Sequence, residues 1–151
     1  MTVLHGAALA QSALPDLAVT PGATNPEVTQ ENIGATICVP GWTRTVRPPL
    51  DYTEAIKRRL VHESAYPDHR LAHYELDHLV PLSLGGAPSD VRNLWIEPRQ
   101  PQDGWSADRK DELEAALSQA VCAGRVSLVE AQQAIARDWI AAYRRYVNGV
   151  E

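Results

Sequence analysis

Phenylalanine is missing altogether from this chain of 151 residues, so four tryptophans and five tyrosines must supply the aromatic packing. No apolar run approaches the roughly 18 residues that a membrane-spanning helix needs, and no membrane partner is expected. Cysteine occurs only at positions 38 and 122, which limits the covalent framework to one bridge. No G-x-S-x-G nucleophile elbow is present, which leaves the serine esterases without support. There is no internal repeat, and the Gly85-Gly86 pair does not open a helix, so a nucleotide-cradling loop is excluded as well. Basic charge is scarce: the formal net charge is −5, and residues 1 to 40 contain no Lys or Arg. A surface built throughout to grip phosphate is therefore not expected.

Against these absences stands one dense stretch, Tyr74 to Pro98, reading YELDHLVPLSLGGAPSDVRNLWIEP. Glu75 to Val80 reads as a short strand, stopped by Pro81, which cannot donate to a ladder. Leu82 to Asn93 reads as a loop, because Gly85, Gly86, Pro88, Ser89 and Asp90 tolerate or impose special backbone angles. Leu94 to Ile96 is a second short strand closed by Pro98. Ser106 can cap a helix from Ala107 to Cys122, with Leu113, Leu117 and Val121 facing inward and Gly124 ending it. The local order is strand, loop, strand, helix.

That order carries the motifs LDHLVPLSLGG and RNLW, and the segment resembles the HNH endonucleases of the ββα-metal group at Asp77, His78, Pro81, Gly85, Gly86, Asn93 and Leu94. The resemblance covers about residues 74 to 122. The flanking ICVPGW and AQQAIARDWIAAY are similar to segments of bacterial proteins carrying the same centre. It implies an α+β fold: a ββα hairpin-plus-helix core, further flanking α-helices and an irregular N-terminal arm. It also implies metal-dependent hydrolysis of phosphodiesters in nucleic acid, DNA first. A phosphodiester repels its own nucleophile, so hydrolysis needs a cation and a base for water; histidine titrates near pH 6.5, and Mg²⁺ and Mn²⁺ prefer oxygen ligands. By resemblance, then, His78 activates water, Asp77 binds one divalent ion, Mg²⁺ or Mn²⁺, and Asn93 ties the loop to the site and helps to orient His78.

The chain departs from that family in two ways. Many relatives place a further ligand, often His or Asn, in the helix, and here no His follows position 78. Gln102, Asp103, Asp108 and Asp111 are the candidates, with Asp111 taken as the second metal ligand although it falls about 200° around the helix from Leu113. The same geometry turns Arg109 and Lys110 towards the site as substrate-binding cations. The Cys pairs of some relatives are absent too, so no structural zinc is implied.

From Arg44 to Arg59, five bases stand against two acids, a local excess of +3. This basic patch makes Lys57 and Arg58 candidates for phosphate contact. They sit on an expected helix, Asp51 to Glu63, which Asp51 and Glu54 can open as a capping box. His62, His69 and His73 gather near Asp68, but their spacing matches no metal signature and they read as surface histidines. A last helix, about Leu128 to Val147, places Leu128, Ala131, Ile135, Trp139, Ala142 and Tyr146 on one stripe, opened by Ser127 and Glu130.

Residues 1 to 30 read as a signal remnant or a flexible arm, and 31 to 151 as a single domain. Ala8-Leu9-Ala10 within MTVLHGAALAQS resembles a cleavage site, without a preceding positive charge. Residues 11 to 50 are broken by proline; only ATICV resembles a strand, and the arm is expected either to wrap the core or to stay mobile before about residue 30. An exported protein, secreted or periplasmic, would join Cys38 to Cys122, whereas a cytoplasmic one would bury two thiols. The reading opposed to a nuclease is a non-catalytic exported binding or structural module that keeps the ββα scaffold.

Overall fold

The computed structural model describes residues 12–149, and the signal-like start around Ala8 and Ala10 lies outside them. The fold is mixed α+β. In chain order it runs α1 (Trp42–Val46), α2 (Leu50–Glu63), β1 (Tyr74–His78), β2 (Leu94–Pro98), α3 (Ala107–Cys122), α4 (Leu128–Arg137) and α5 (Trp139–Tyr146). Short 3-10 turns at Gln30–Ala35, Leu71–His73, Leu82–Leu84 and Val91–Asn93 link them.

β1 and β2 form a two-stranded antiparallel sheet in which Leu76 faces Ile96, Glu75 faces Glu97 and His78 faces Leu94. Because strand residues alternate, Tyr74, Leu76 and Ile96 share one face, and Glu75, Asp77 and Glu97 share the other. The apolar face packs on Val61 of α2 as a small cluster with Leu60, Tyr66 and Leu76 around it. The acidic face is met by α3, through Lys110.

The connection between the strands is a closed, buried loop. Gly85 adopts φ 72°, open to glycine at little cost, and a Cβ on Gly86 would sit 1.7 Å from the Val80 carbonyl oxygen. The glycines thus serve two needs: one bends the chain, and the other lets two backbone segments touch. The loop lies on the main core, where Val80 and Leu84 join Leu113, Leu117 and Val121 of α3 and Leu128, Ala131, Ile135, Trp139 and Ala142 of α4 and α5. Spacings of three and four on each helix produce these buried stripes.

Three expectations change. The final helix is two, because Asp138 leaves the helical region (φ −163°, ψ 93°) and its carboxylate accepts the Ala141 amide, capping α5 afresh. The apolar stripe continues across the break, with Tyr143 buried and Tyr146 only half-buried. α2 starts at Leu50 after Pro49, without a side-chain cap, and Asp51 instead accepts the neighbouring Tyr52 amide. Pro48 and Pro49 already fix the chain at the helix start, where a missing amide costs nothing. ATICV forms no strand: Thr29 and Asn32 satisfy each other's amides and open the 3-10 turn at Gln30, a local alternative to a ladder. The arm wraps the core well before residue 30, with Gly22 and Ala23 donating to the Arg92 carbonyl, Asn25 to that of Gly85, and Val28 buried.

Cys38 and Cys122 form a disulfide across a sequence separation of 84, pinning the arm to the end of α3. Loop-closure entropy for such a span is about 4 to 5 kcal/mol. Replacing both cysteines with serine is expected to lower the melting temperature by roughly 10 °C or more in a thermal melt.

Candidate functional site

Two clefts meet where β1 ends. The smaller, about 270 Å³, is lined by Thr43, Arg47, Asp77, His78, Ser83, Asp111 and Glu114, with Pro81 and Leu82. The larger, about 580 Å³, is lined by Arg47, Lys57, Glu75, Asp77, His78 and Arg99, among others. Neighbours in a regular strand diverge, yet Asp77 and His78 line both clefts. The strand stops at His78, and the chain turns there into the Val80–Pro81 loop.

His78 is held by the loop opposite. Its Nε2 lies 2.9 Å from the Pro88 carbonyl oxygen, which can only accept, so the ring proton sits on Nε2 and Nδ1 is left as the basic nitrogen. Burial holds the imidazole below its ordinary pKa; the Pro88 carbonyl and Asp77 oppose this, while Arg47 and Lys110 add to it. The ring is neutral at pH 7 and therefore able to take a proton.

Asn93 is fully buried and acts on the backbone. Its side-chain oxygen accepts the Val80 amide at 2.8 Å, and its amide group donates to the carbonyls of Val80 and Ala87 at 2.9 and 3.1 Å. It thus closes the loop that carries Pro88 to His78, and orients the imidazole through that carbonyl without touching it.

Lys110 is 1% exposed and donates to Asp77 Oδ2 and Glu114 Oε1 at 2.7 Å each and to the His78 carbonyl at 3.0 Å. Burial pulls its pKa down, but Asp77 and Glu114 more than reverse this, so the ammonium stays charged. Glu97, also buried, is pushed up to about 9 by burial first and then by Asp77, with Lys110 opposing. It is protonated at neutral pH, and its Oε2 has no hydrogen-bond partner among the described residues. Glu114 is raised to about 7, chiefly by burial, with Lys110 pulling the other way.

The expected site residues are thus partly assembled. Asp111 is exposed on the wall of the smaller cleft, where burial and Asp77 raise its pKa. Lys57 lines the larger cleft, whereas Arg58 is exposed and borders neither. Lys110 does turn to the site but is sealed beneath it, a tie between carboxylates and not a surface for substrate. Arg109 points elsewhere: its guanidinium lies over the rings of Trp105 and Tyr143 at 5.3 and 5.7 Å, where cation–π attraction holds it. His73 pairs with Asp68, and His69 approaches the Ser64 carbonyl, as surface histidines.

Sequence reasoning missed Glu97 and Glu114, and had Arg47 only as one of the five bases of the Arg44 to Arg59 patch. Glu114 had a signal, standing four residues after Lys110 on one helix. Glu97 had one in the strand register, directly opposite Glu75. Arg47 had the local excess of basic charge, but only the tertiary fold brings it, and not Arg58, to the clefts.

Among the described residues no group of three or more His, Cys, Asp or Glu side chains is arranged to hold a metal ion. The free donor nearest His78 in sequence is Asp77 Oδ1, which accepts no hydrogen bond among those residues. Asp77 and Asp111 both line the smaller cleft; one or two carboxylates with water completing the shell are what hydrated Mg²⁺ takes, whereas a zinc cage needs four protein donors. Comparison with protein-family models, curated proteins and solved structures returns no match.

Removing the buried cation leaves two carboxylates unpaired, and Lys110→Ala is expected to lose about 3 to 5 kcal/mol in urea denaturation. Glu97 has a folded pKa raised above its unfolded value, so the native state binds the extra proton and this contribution to stability falls as pH rises from about 4.5 towards about 9. In chelator, Glu97→Gln should therefore gain on the wild type from pH 5 to pH 8, by up to about 1.4 kcal/mol per pH unit.

Proposed function

We propose that this chain is a ββα-metal endonuclease of the HNH type, hydrolysing phosphodiesters in nucleic acid, most readily DNA. One observation carries the reading: a neutral imidazole of fixed tautomer and a carboxylate meet at an open cleft bordered by Arg47 and Lys57. The hairpin with α3 behind it is the scaffold that such a centre uses.

In this reading His78 Nδ1 takes a proton from water as the oxygen attacks phosphorus. The bond from phosphorus to the leaving ester oxygen breaks, and that oxygen takes its proton from solvent. The Pro88 carbonyl then stabilises the imidazolium through Nε2–H. Lys110 fixes one oxygen of Asp77 and leaves the other for a cation. A divalent ion at Asp77 and Asp111, Mg²⁺ or Mn²⁺, would supply the positive charge that the phosphate and leaving oxygen need. The disulfide suits an exported protein, secreted or periplasmic.

A second reading, a non-catalytic module on the same scaffold, is favoured by the ion pair that already engages Asp77 and by the lack of three convergent donors among the described residues. Plasmid cleavage separates the two. With Mg²⁺ or Mn²⁺ the protein should nick DNA, chelator should stop it, and His78→Ala should reduce the rate by about 100-fold or more. Activity needs the neutral ring, whose pKa is depressed, so the rate should fall with pH only below the ordinary histidine value of about 6.5. An inert wild-type protein under all these conditions favours the second reading.

A further inference from the structure

The arm brings a cation to the site that the motif itself does not contain. Arg47 lines both clefts, and among the described residues its guanidinium makes no ion pair and no hydrogen bond. A phosphodiester approaching His78 meets Asp77, Asp111 and Glu114 in one cleft and Glu54 and Glu75 in the other. It therefore needs a cation at the junction. Lys110 is sealed, Arg99 is tied to Glu75 at 3.2 Å, and Lys57 reaches only the larger cleft.

The backbone holds Arg47 in place from both sides. Thr43 in α1 and Arg47, the residue that caps its C-terminus, both line the smaller cleft. Trp42 packs on the main core, and Cys38, four residues earlier, is bonded to Cys122. After Arg47 comes Pro48, and a residue before proline is confined to extended conformations; Arg47 has φ −62° and ψ 127°. A side chain whose backbone is anchored on both sides, by α1 before it and Pro48 after it, is held at the cleft mouth.

We propose that Arg47 is a substrate-binding residue, which grips the phosphate at the junction of the two clefts from an arm held there by the Cys38–Cys122 bridge. This rests on the nuclease reading for the identity of the ligand, a DNA phosphodiester. The guanidinium fork matches two phosphate oxygens, which an ammonium does not.

The test uses the intact disulfide-bonded chain carrying His78→Ala, so that a labelled single-stranded DNA oligonucleotide is bound and not cut. Adding Arg47→Ala should weaken binding in Mg²⁺ about 10-fold at low salt and lower the slope of log affinity against log salt by about 0.7. Arg47→Lys should keep the slope and recover part of the affinity, and Arg125→Ala, remote beyond Gly124, should change neither. In the cleaving protein, Arg47→Ala should lower kcat/KM about 10-fold or more, with thermal melting as the control for folding. An unchanged affinity and slope, or no DNA binding at all, overturns the proposal. Binding that depends on Arg47 without any cleavage by the wild type would uphold it and overturn the nuclease reading; cleavage indifferent to Arg47 would do the reverse.

Discussion

The three hydrogen bonds of the Asn93 side chain set the conditions for everything else at the site. One buried amide replaces the ladder where the hairpin opens into its long loop, satisfying both polar groups of Val80 and the carbonyl of Ala87. Backbone groups left unpaired there would each cost about 1 to 3 kcal/mol. The contact also explains Gly86, since the two chain segments approach too closely for any side chain. With the loop closed, the Pro88 carbonyl stands where it can select the tautomer of His78. A residue that never meets the imidazole thus determines which of its nitrogens is basic.

The second organising feature is electrostatic. The hairpin turns Glu75, Asp77 and Glu97 towards α3, an arrangement that like charges would oppose. Two devices relieve it: Lys110 neutralises Asp77 and Glu114, and Glu97 keeps its proton. Buried ion pairs do little for net stability, because desolvation offsets attraction, but they fix geometry firmly once formed. Here the fixed geometry is a carboxylate with one oxygen restrained and one free. Lys110 and Glu97 hold their charge states through the neutral range, whereas Glu114, raised to about 7, changes its own there.

What the sequence made legible was local. Asp77, His78, the two glycines and Asn93 lie within one short stretch whose turn residues and strand periods speak for themselves. The bounds of α3 were legible in an apolar period of four and in Gly124, although Ser106 stands at the N-cap without a side-chain hydrogen bond, and of the two alternatives for the cysteines, a bridge or two thiols, the bridge is formed. Periodicity could not see the break at Asp138, because the apolar stripe passes through it undisturbed and only the backbone angles reveal the second cap. Nor could helix geometry settle Arg109, whose place is decided by Trp105, four residues before it, together with Tyr143 from the distant α5. Glu97 and Arg47 carried weak signals, a strand register and a basic stretch, but their place at the site comes from the paired hairpin and from an arm that folds back.

The bridge between Cys38 and Cys122 also makes a covalent ring of the chain, and every group described at the site, from Thr43 to Glu114, belongs to that ring. The segments outside it, residues 12 to 37 and 123 to 149, brace the ring by packing and by hydrogen bonds such as those of Asn25 and Gln132 to the Gly85 and Leu84 carbonyls, and line neither cleft. A single peptide bond cut by a protease anywhere inside the ring would leave the two pieces tethered, so no chemical group could diffuse away. Wherever proteases reach the chain, that topology offers tolerance of damage as well as stability.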